Sequence, residues 1–157
     1  MTDRSVLHNT FVIERIYPKP PERVFAAFAD PAKKRRWFAE GENHEVEEFT
    51  MEFRVGGTEQ VRSRLKAGTP FPGVPLLNEG IFQDIVPNAR IVTASRMSLG
   101  DRRISASLVT IELQPTDPGT TLICTHQAAF FEGADGPQMR EGGWRKLLDR
   151  LANELAA

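Results

Sequence analysis

The sequence predicts an α+β fold: a curved antiparallel sheet of about six to seven strands wrapped around a long C-terminal helix, with a pocket between them. Three observations carry this. Residues 44–128 alternate apolar and polar side chains with period 2, as half-buried strands do. Residues 135–157 return to helical period and carry one apolar stripe. Between a first strand and the strand-rich region lies a proline-punctuated stretch that reads as two short helices.

The first strand is TFVIERIY, residues 10–17, and Pro18, Pro20 and Pro21 end it. In PERVFAAFADPAKKRRWF, Pro21 suits the first turn of a helix, where a missing N–H costs nothing, and Val24, Phe25 and Phe28 share one face. Asp30 can cap a second short helix that begins at Pro31. Phe49, Met51, Phe53 and Val55 then alternate with polar residues, and Gly56-Gly57 turns the chain into EQVRSRL. Residues 66–78, KAGTPFPGVPLLN, hold too much proline and glycine for a helix or central strand and are expected to be irregular. GIFQDIV (80–86) and RIVTASRMS (90–98) flank the turn pair Pro87-Asn88 and read as a hairpin. SASLVTIEL (105–113) and TTLICTHQA (120–128) follow, separated by Asp117-Pro118-Gly119. Short connections make a meander the simplest topology. In the last segment Asp135 and Gln138 are placed as a capping box. Trp144, Leu147, Leu148, Leu151 and Leu155 form the stripe, and the sheet is the only large apolar surface that can cover it. Gly142-Gly143 costs helix stability, so a kink or close backbone packing is expected there.

The 157 residues suit one domain, 1–157, with 40% apolar and 26% charged residues. A net charge of −1, from 20 basic and 21 acidic residues, leaves no electrostatic footprint for nucleic acid or an anionic membrane. No apolar run approaches the roughly 20 residues of a membrane span, and the N-terminal MTDRSVLHNTFVIER lacks a secretory h-region, so a cytoplasmic protein is expected. The single cysteine, Cys124, forbids an intramolecular disulfide. His8, His44 and His126 show no metal-ligand spacing, and nothing implies a metal or cofactor.

Several pieces, in this order and spacing, resemble a known family: PPERVFAAFADP (20–31), RRWF (35–38), FRVGG (53–57), EGIFQDIVPNARIV (79–92), GTTLICTHQAAF (119–130) and EGGWRKLLDRL (141–151). From about Phe11 to Leu155 the chain resembles the START-like (SRPBCC), birch-pollen-allergen-like superfamily. Within it, the chain is similar to the bacterial type of domain related to the activator of the heat-shock-protein-90 ATPase. Pro20 departs from the family, which often has a serine or similar cap there. The resemblance implies a helix-grip fold with a cavity between sheet and C-terminal helix. Its relatives bind apolar or aromatic small molecules, contact chaperones, or act as cyclases and related enzymes. Fold alone does not choose among these.

Candidate ligand-binding residues are Trp37, Phe53, Phe71, Phe82, Phe130 and Trp144 as aromatic walls, with Leu148, Arg96 and His126. Phe38 belongs to the same aromatic set. The pocket lining is expected to come from Phe49, Met51, Phe53, Val109, Ile111, Leu122 and His126 of the sheet, and from Trp144, Leu148 and Leu151 of the helix. His126 shares a face with Leu122 and Cys124; it is either a polar group in the pocket or a histidine satisfied by a neighbour. Phe71, in the Pro/Gly loop, is a lid or a packing residue. Arg96 either meets an anion inside or pairs with Asp84 across the hairpin. Cys124 is either a nucleophile or a small buried thiol, and the second reading is favoured because it lies mid-strand with no activating neighbour in sequence. Lys33-Lys34-Arg35-Arg36 reads as a solvated helix face, or else as a patch for a partner such as a chaperone.

Three functions follow. The first is binding of a small hydrophobic molecule in the cavity. The second is a chaperone-ATPase-activating module, although the extra N-terminal domain of the eukaryotic activators is not expected here. The third is a cyclase- or hydrolase-type enzyme drawing on His126, Asp84, Arg96 or Glu79, although no catalytic constellation is visible. A homodimer would protect the sheet edges.

Overall fold

The computed structural model describes residues 5–157. Strand β1 (Leu7–Tyr17) leads into helix α1 (Pro21–Ala29), helix α2 (Pro31–Lys34) and a single π-helical turn (Arg35–Ala39). Strands β2 (His44–Met51), β3 (Thr58–Leu65), β4 (Pro75–Val86), β5 (Arg90–Leu99), β6 (Arg102–Pro115) and β7 (Thr120–Phe130) follow, and helix α3 (Pro137–Ala156) closes the chain. The seven strands form one antiparallel sheet in the order β1-β7-β6-β5-β4-β3-β2. The meander thus runs from β2 to β7, and β1 joins its far end by pairing with β7, Phe11 opposite His126. No helix among the described residues is long and apolar enough to cross a membrane.

Local chemistry explains most boundaries. Pro20 caps α1 without a side-chain bond, and its carbonyl accepts from the N–H groups of Arg23 and Val24. The Asp30 carboxylate accepts from the N–H groups of Ala32 and Lys33, so α2 starts where the cap chemistry places it. Asn88 adopts a left-handed φ of 62° in the β4–β5 turn, a conformation that asparagine tolerates.

Several expectations are corrected. Strand β2 stops at Met51; Phe53 still packs inward, but Val55 lies in the following turn and is exposed. Strand β4 begins at Pro75, inside the stretch expected to be irregular, because proline is tolerated as the first residue of a strand. Helix α3 has Gly136 at its cap position and no side-chain cap. Asp135 pairs instead with Arg140, a charge-assisted bidentate bond that outweighs a capping bond. The helix runs unbroken through Gly142 and Gly143, and a Cβ added at either would meet nothing within 4 Å. The expected kink or tight packing is absent.

The concave face of the sheet divides along the strands. In one half Ile91, Ile111, Cys124 and Ile13 stand in register on neighbouring strands. They pack with Val24 and Phe28 of α1 and with Leu148, Leu151 and Leu155 of α3. Burying each leucine is worth roughly 1.5–3 kcal/mol. Tyr17 Oη donates to the Leu148 carbonyl at 2.8 Å, and Trp37 Nε1 donates to the Ala27 carbonyl at 2.8 Å. Arg36 forms a bidentate pair with Glu154 at 2.8 Å, which holds the π-helical turn to α3.

The other half is different. Glu59, Gly80, Ser95, Ser107 and Ala128 stand side by side on β3 to β7. Short side chains on four adjacent strands leave this row shallow. A Cβ at Gly80 would lie 2.8 Å from the Thr93 methyl carbon, so a larger residue there would force Thr93 to shift.

Candidate functional site

Two adjoining cavities lie under the first half of α3, and Glu59, Ser95 and Ser107 of the shallow row line the inner one. The inner one, about 50 Å³, is lined by Trp37, Phe38, Val109, Ile111 and Trp144 together with a polar set: Lys34, Glu59, Asn78, Thr93, Ser95, Ser107, His126 and Arg140. The outer one, about 270 Å³, lies between α3 and strands β2 to β5. Its walls are mostly apolar: Phe38, Val61, Leu76, Met97, Trp144 and Leu147, with His44, Ser63 and Gly143. Both share Phe38, Asn78, Met97, Arg140 and Trp144, so the outer groove leads to the inner recess.

Two ion pairs bound the recess, one buried and one partly buried. Lys34 Nζ lies 2.5 Å from the Glu59 carboxylate, both side chains being less than a tenth exposed. The ammonium also sits 4.6 Å from the Phe38 ring centroid and within 6 Å of Phe28 and Phe82. A counter-charge and aromatic faces together offset its desolvation. The expectation of a solvated basic face therefore fails at Lys34, which is buried, while Lys33 and Arg35 are half-buried and Arg36 is exposed. Arg140 donates to both Asp135 oxygens at 2.8 Å and to Ser105 Oγ at 2.9 Å, and it stacks over Phe130.

His126 is 1% exposed and stacks on Phe11, ring centroids 4.6 Å apart and planes 8° apart. Its Nδ1 has no hydrogen-bond partner among the described residues. Burial, reinforced by the nearby Arg140 charge, pushes its pKa down to about 4, so the ring is neutral at physiological pH. Burial pushes the Cys124 thiol up to about 12, which keeps it protonated and unreactive.

The structure brings Trp37, His126, Arg96 and Trp144 to the inner cavity, with Val109 and Ile111. The Arg96 guanidinium is exposed and pairs with Glu79, while Asp84 pairs with Arg90; the Arg96–Asp84 pair does not form. Phe53, Phe82, Phe130 and Leu148 line neither cavity. Phe53 and Phe82 stack edge to face, Leu148 lies in the dry half of the core, and Phe130 lies against Arg140. Phe71, in the loop between β3 and β4, is 55% exposed and covers neither cavity, because the loop that carries it is held to β3 by Gly73 N–H bonding to the Leu65 carbonyl. Lys34, Glu59, Asn78 and Arg140 are site residues that periodicity missed. A signal existed for the floor: Ser95 and Ser107 are short polar residues at inward positions of β5 and β6, in phase with Ile91 and with Val109 and Ile111. Among the described residues no group of His, Cys, Asp and Glu could hold a metal ion.

A long helix gripped by a seven-stranded antiparallel sheet over an interior cavity defines a helix-grip domain. Residues 18–156 match the family described as Activator of Hsp90 ATPase homolog 1-like protein, and the chain belongs to that family. It is similar to an uncharacterized protein from Rhizobium leguminosarum, at 37% identity and TM-score 0.90 over 99% of both chains. It is similar also to a protein from Rhizobium loti, at 48% identity and TM-score 0.84 over 96% of this chain and 99% of that one. An AHSA1-like protein from Aeromonas hydrophila shares the fold, at 20% identity and TM-score 0.67 over 94% and 92% of the two chains. No curated protein matches the chain.

Proposed function

We propose that the protein binds an apolar or aromatic small molecule in the groove between the sheet and the first half of α3. The observation that carries this reading is the outer cavity of about 270 Å³ with mostly apolar walls. A cavity of about 150 Å³ takes up benzene, so a bicyclic ring system is the right scale here. Apolar area removed from water supplies about 25 cal/mol per Å², and the groove offers a wall on each side of a flat ring, Trp144 and Leu147 on the helix, Val61 and Leu76 on the sheet.

Acid–base catalysis is less well supported. Glu59 and Asp135 are committed to Lys34 and Arg140, and His126 with a pKa of about 4 is a weak base. Chaperone activation rests on family membership alone, and in the basic run that would serve it Lys34 is buried against Glu59 and Arg36 is paired with Glu154. Calorimetric titration with naphthalene and indole tests the binding reading. Saturable binding that is lost in Gly143→Leu, which fills the groove, supports it; absence of binding by both compounds, or equal binding by the variant, would overturn it.

A further inference from the structure

The polar recess at the end of an apolar groove asks for a particular head group. Its charges are already balanced, Lys34 by Glu59 and Arg140 by Asp135. A carboxylate or an ammonium entering the recess would bring an uncompensated charge into a buried space, or break one of the two pairs. A wholly apolar end would fail in a different way, by leaving Asn78, Ser95, Ser107 and His126 facing a surface that cannot hydrogen-bond. His126 Nδ1 is buried and unpartnered among the described residues, in a side chain 1% exposed that lines the recess. A neutral imidazole nitrogen is a donor in one tautomer and an acceptor in the other, and a hydroxyl can answer either by rotating its hydrogen. Size agrees: a recess of about 50 Å³ has room for a hydroxyl and its carbon but not for a ring.

Resting on the reading of the groove as a ligand site, we propose that the recess selects an uncharged hydroxyl. The ligand class is then a compact apolar or aromatic body, held in the outer groove, that ends in an alcohol or phenol beside His126. Ser95 and Ser107, from the floor row, supply the second hydrogen bond.

The test is isothermal titration of the full chain at pH 7.5 with three matched probes: naphthalene, 2-naphthol and 2-naphthoate. The expected order is 2-naphthol tightest, by about tenfold over naphthalene, with 2-naphthoate weaker than naphthalene. His126→Phe keeps the ring stack but removes the nitrogen; it should erase the advantage of 2-naphthol and leave naphthalene within about twofold. Ser107→Val gives a second readout and should weaken 2-naphthol selectively. If naphthalene binds but 2-naphthoate equals or exceeds 2-naphthol, the head-group proposal fails while the groove remains a ligand site. The same follows if both variants retain the full hydroxyl preference. If none of the three probes binds, the ligand-site reading itself fails, and the head group with it.

Discussion

Replacing Gly142 and Gly143 by alanine isolates what this glycine pair does. In a helix interior glycine is less favourable than alanine by about 0.8–1 kcal/mol, through backbone entropy. That gain is usually offset where a new methyl collides or where φ is positive. Neither applies, since a Cβ at either position meets nothing within 4 Å and both residues lie inside the continuous helix α3. Neighbouring positions do not face one another on a helix, so the two effects should add to about 2 kcal/mol. For a chain of this size each kcal/mol raises Tm by about 2–4 °C. Urea denaturation should show the midpoint rising with an unchanged slope. The two positions differ in function. Gly143 lines the outer cavity and Gly142 lines neither cavity. Gly142→Ala should therefore stabilise the protein without altering naphthalene affinity, whereas Gly143→Ala should stabilise it and weaken binding severalfold. A loss of stability in either single variant would refute the reasoning, because it would mean that the backbone there is strained or closely packed.

Three further outcomes follow from the same structure. Glu59→Gln leaves the Lys34 ammonium buried without a counter-charge and should cost about 3–5 kcal/mol by urea denaturation, whereas Lys34→Met with Glu59→Leu should cost clearly less; equal losses would mean the pair is not coupled. His126 has a folded pKa of about 4 against about 6.5 unfolded. Between those values the unfolded chain binds a proton that the folded chain refuses, so stability is full above about pH 6.5 and falls by up to roughly 3 kcal/mol as pH drops to 4. His126→Phe should flatten that part of the stability profile, and an unchanged slope would count against burial of a neutral ring. Tyr17→Phe deletes the buried bond to the Leu148 carbonyl and should cost about 1 kcal/mol; a variant as stable as the parent would show that this bond does not help to hold α3.

The elements and their faces were legible in the order of the residues. Alternation from residue 44 onward encoded the strands, Asp30-Pro31 the break between the short helices, and the leucine stripe the buried side of α3. These are local properties, set within a few residues by side-chain size, capping and period. Boundaries erred where a neighbour in space decided: Asp135 leaves its cap because Arg140 lies within reach, and Lys34 turns inward because β3 brings Glu59 to meet it. A pocket was expected, but its polar lining could not be read because it is a property of a row across the sheet. Ser95 or Ser107 alone is only a small residue in a strand. Set side by side by the pairing of β5 with β6, with Glu59 two strands away on β3, they become a floor. Period says which face a side chain takes, but register, which depends on pairing between residues far apart in the chain, says what stands beside it. That is why the wrapped helix was legible from the amino acids, while the polar recess under its first half was decided only when the strands came together.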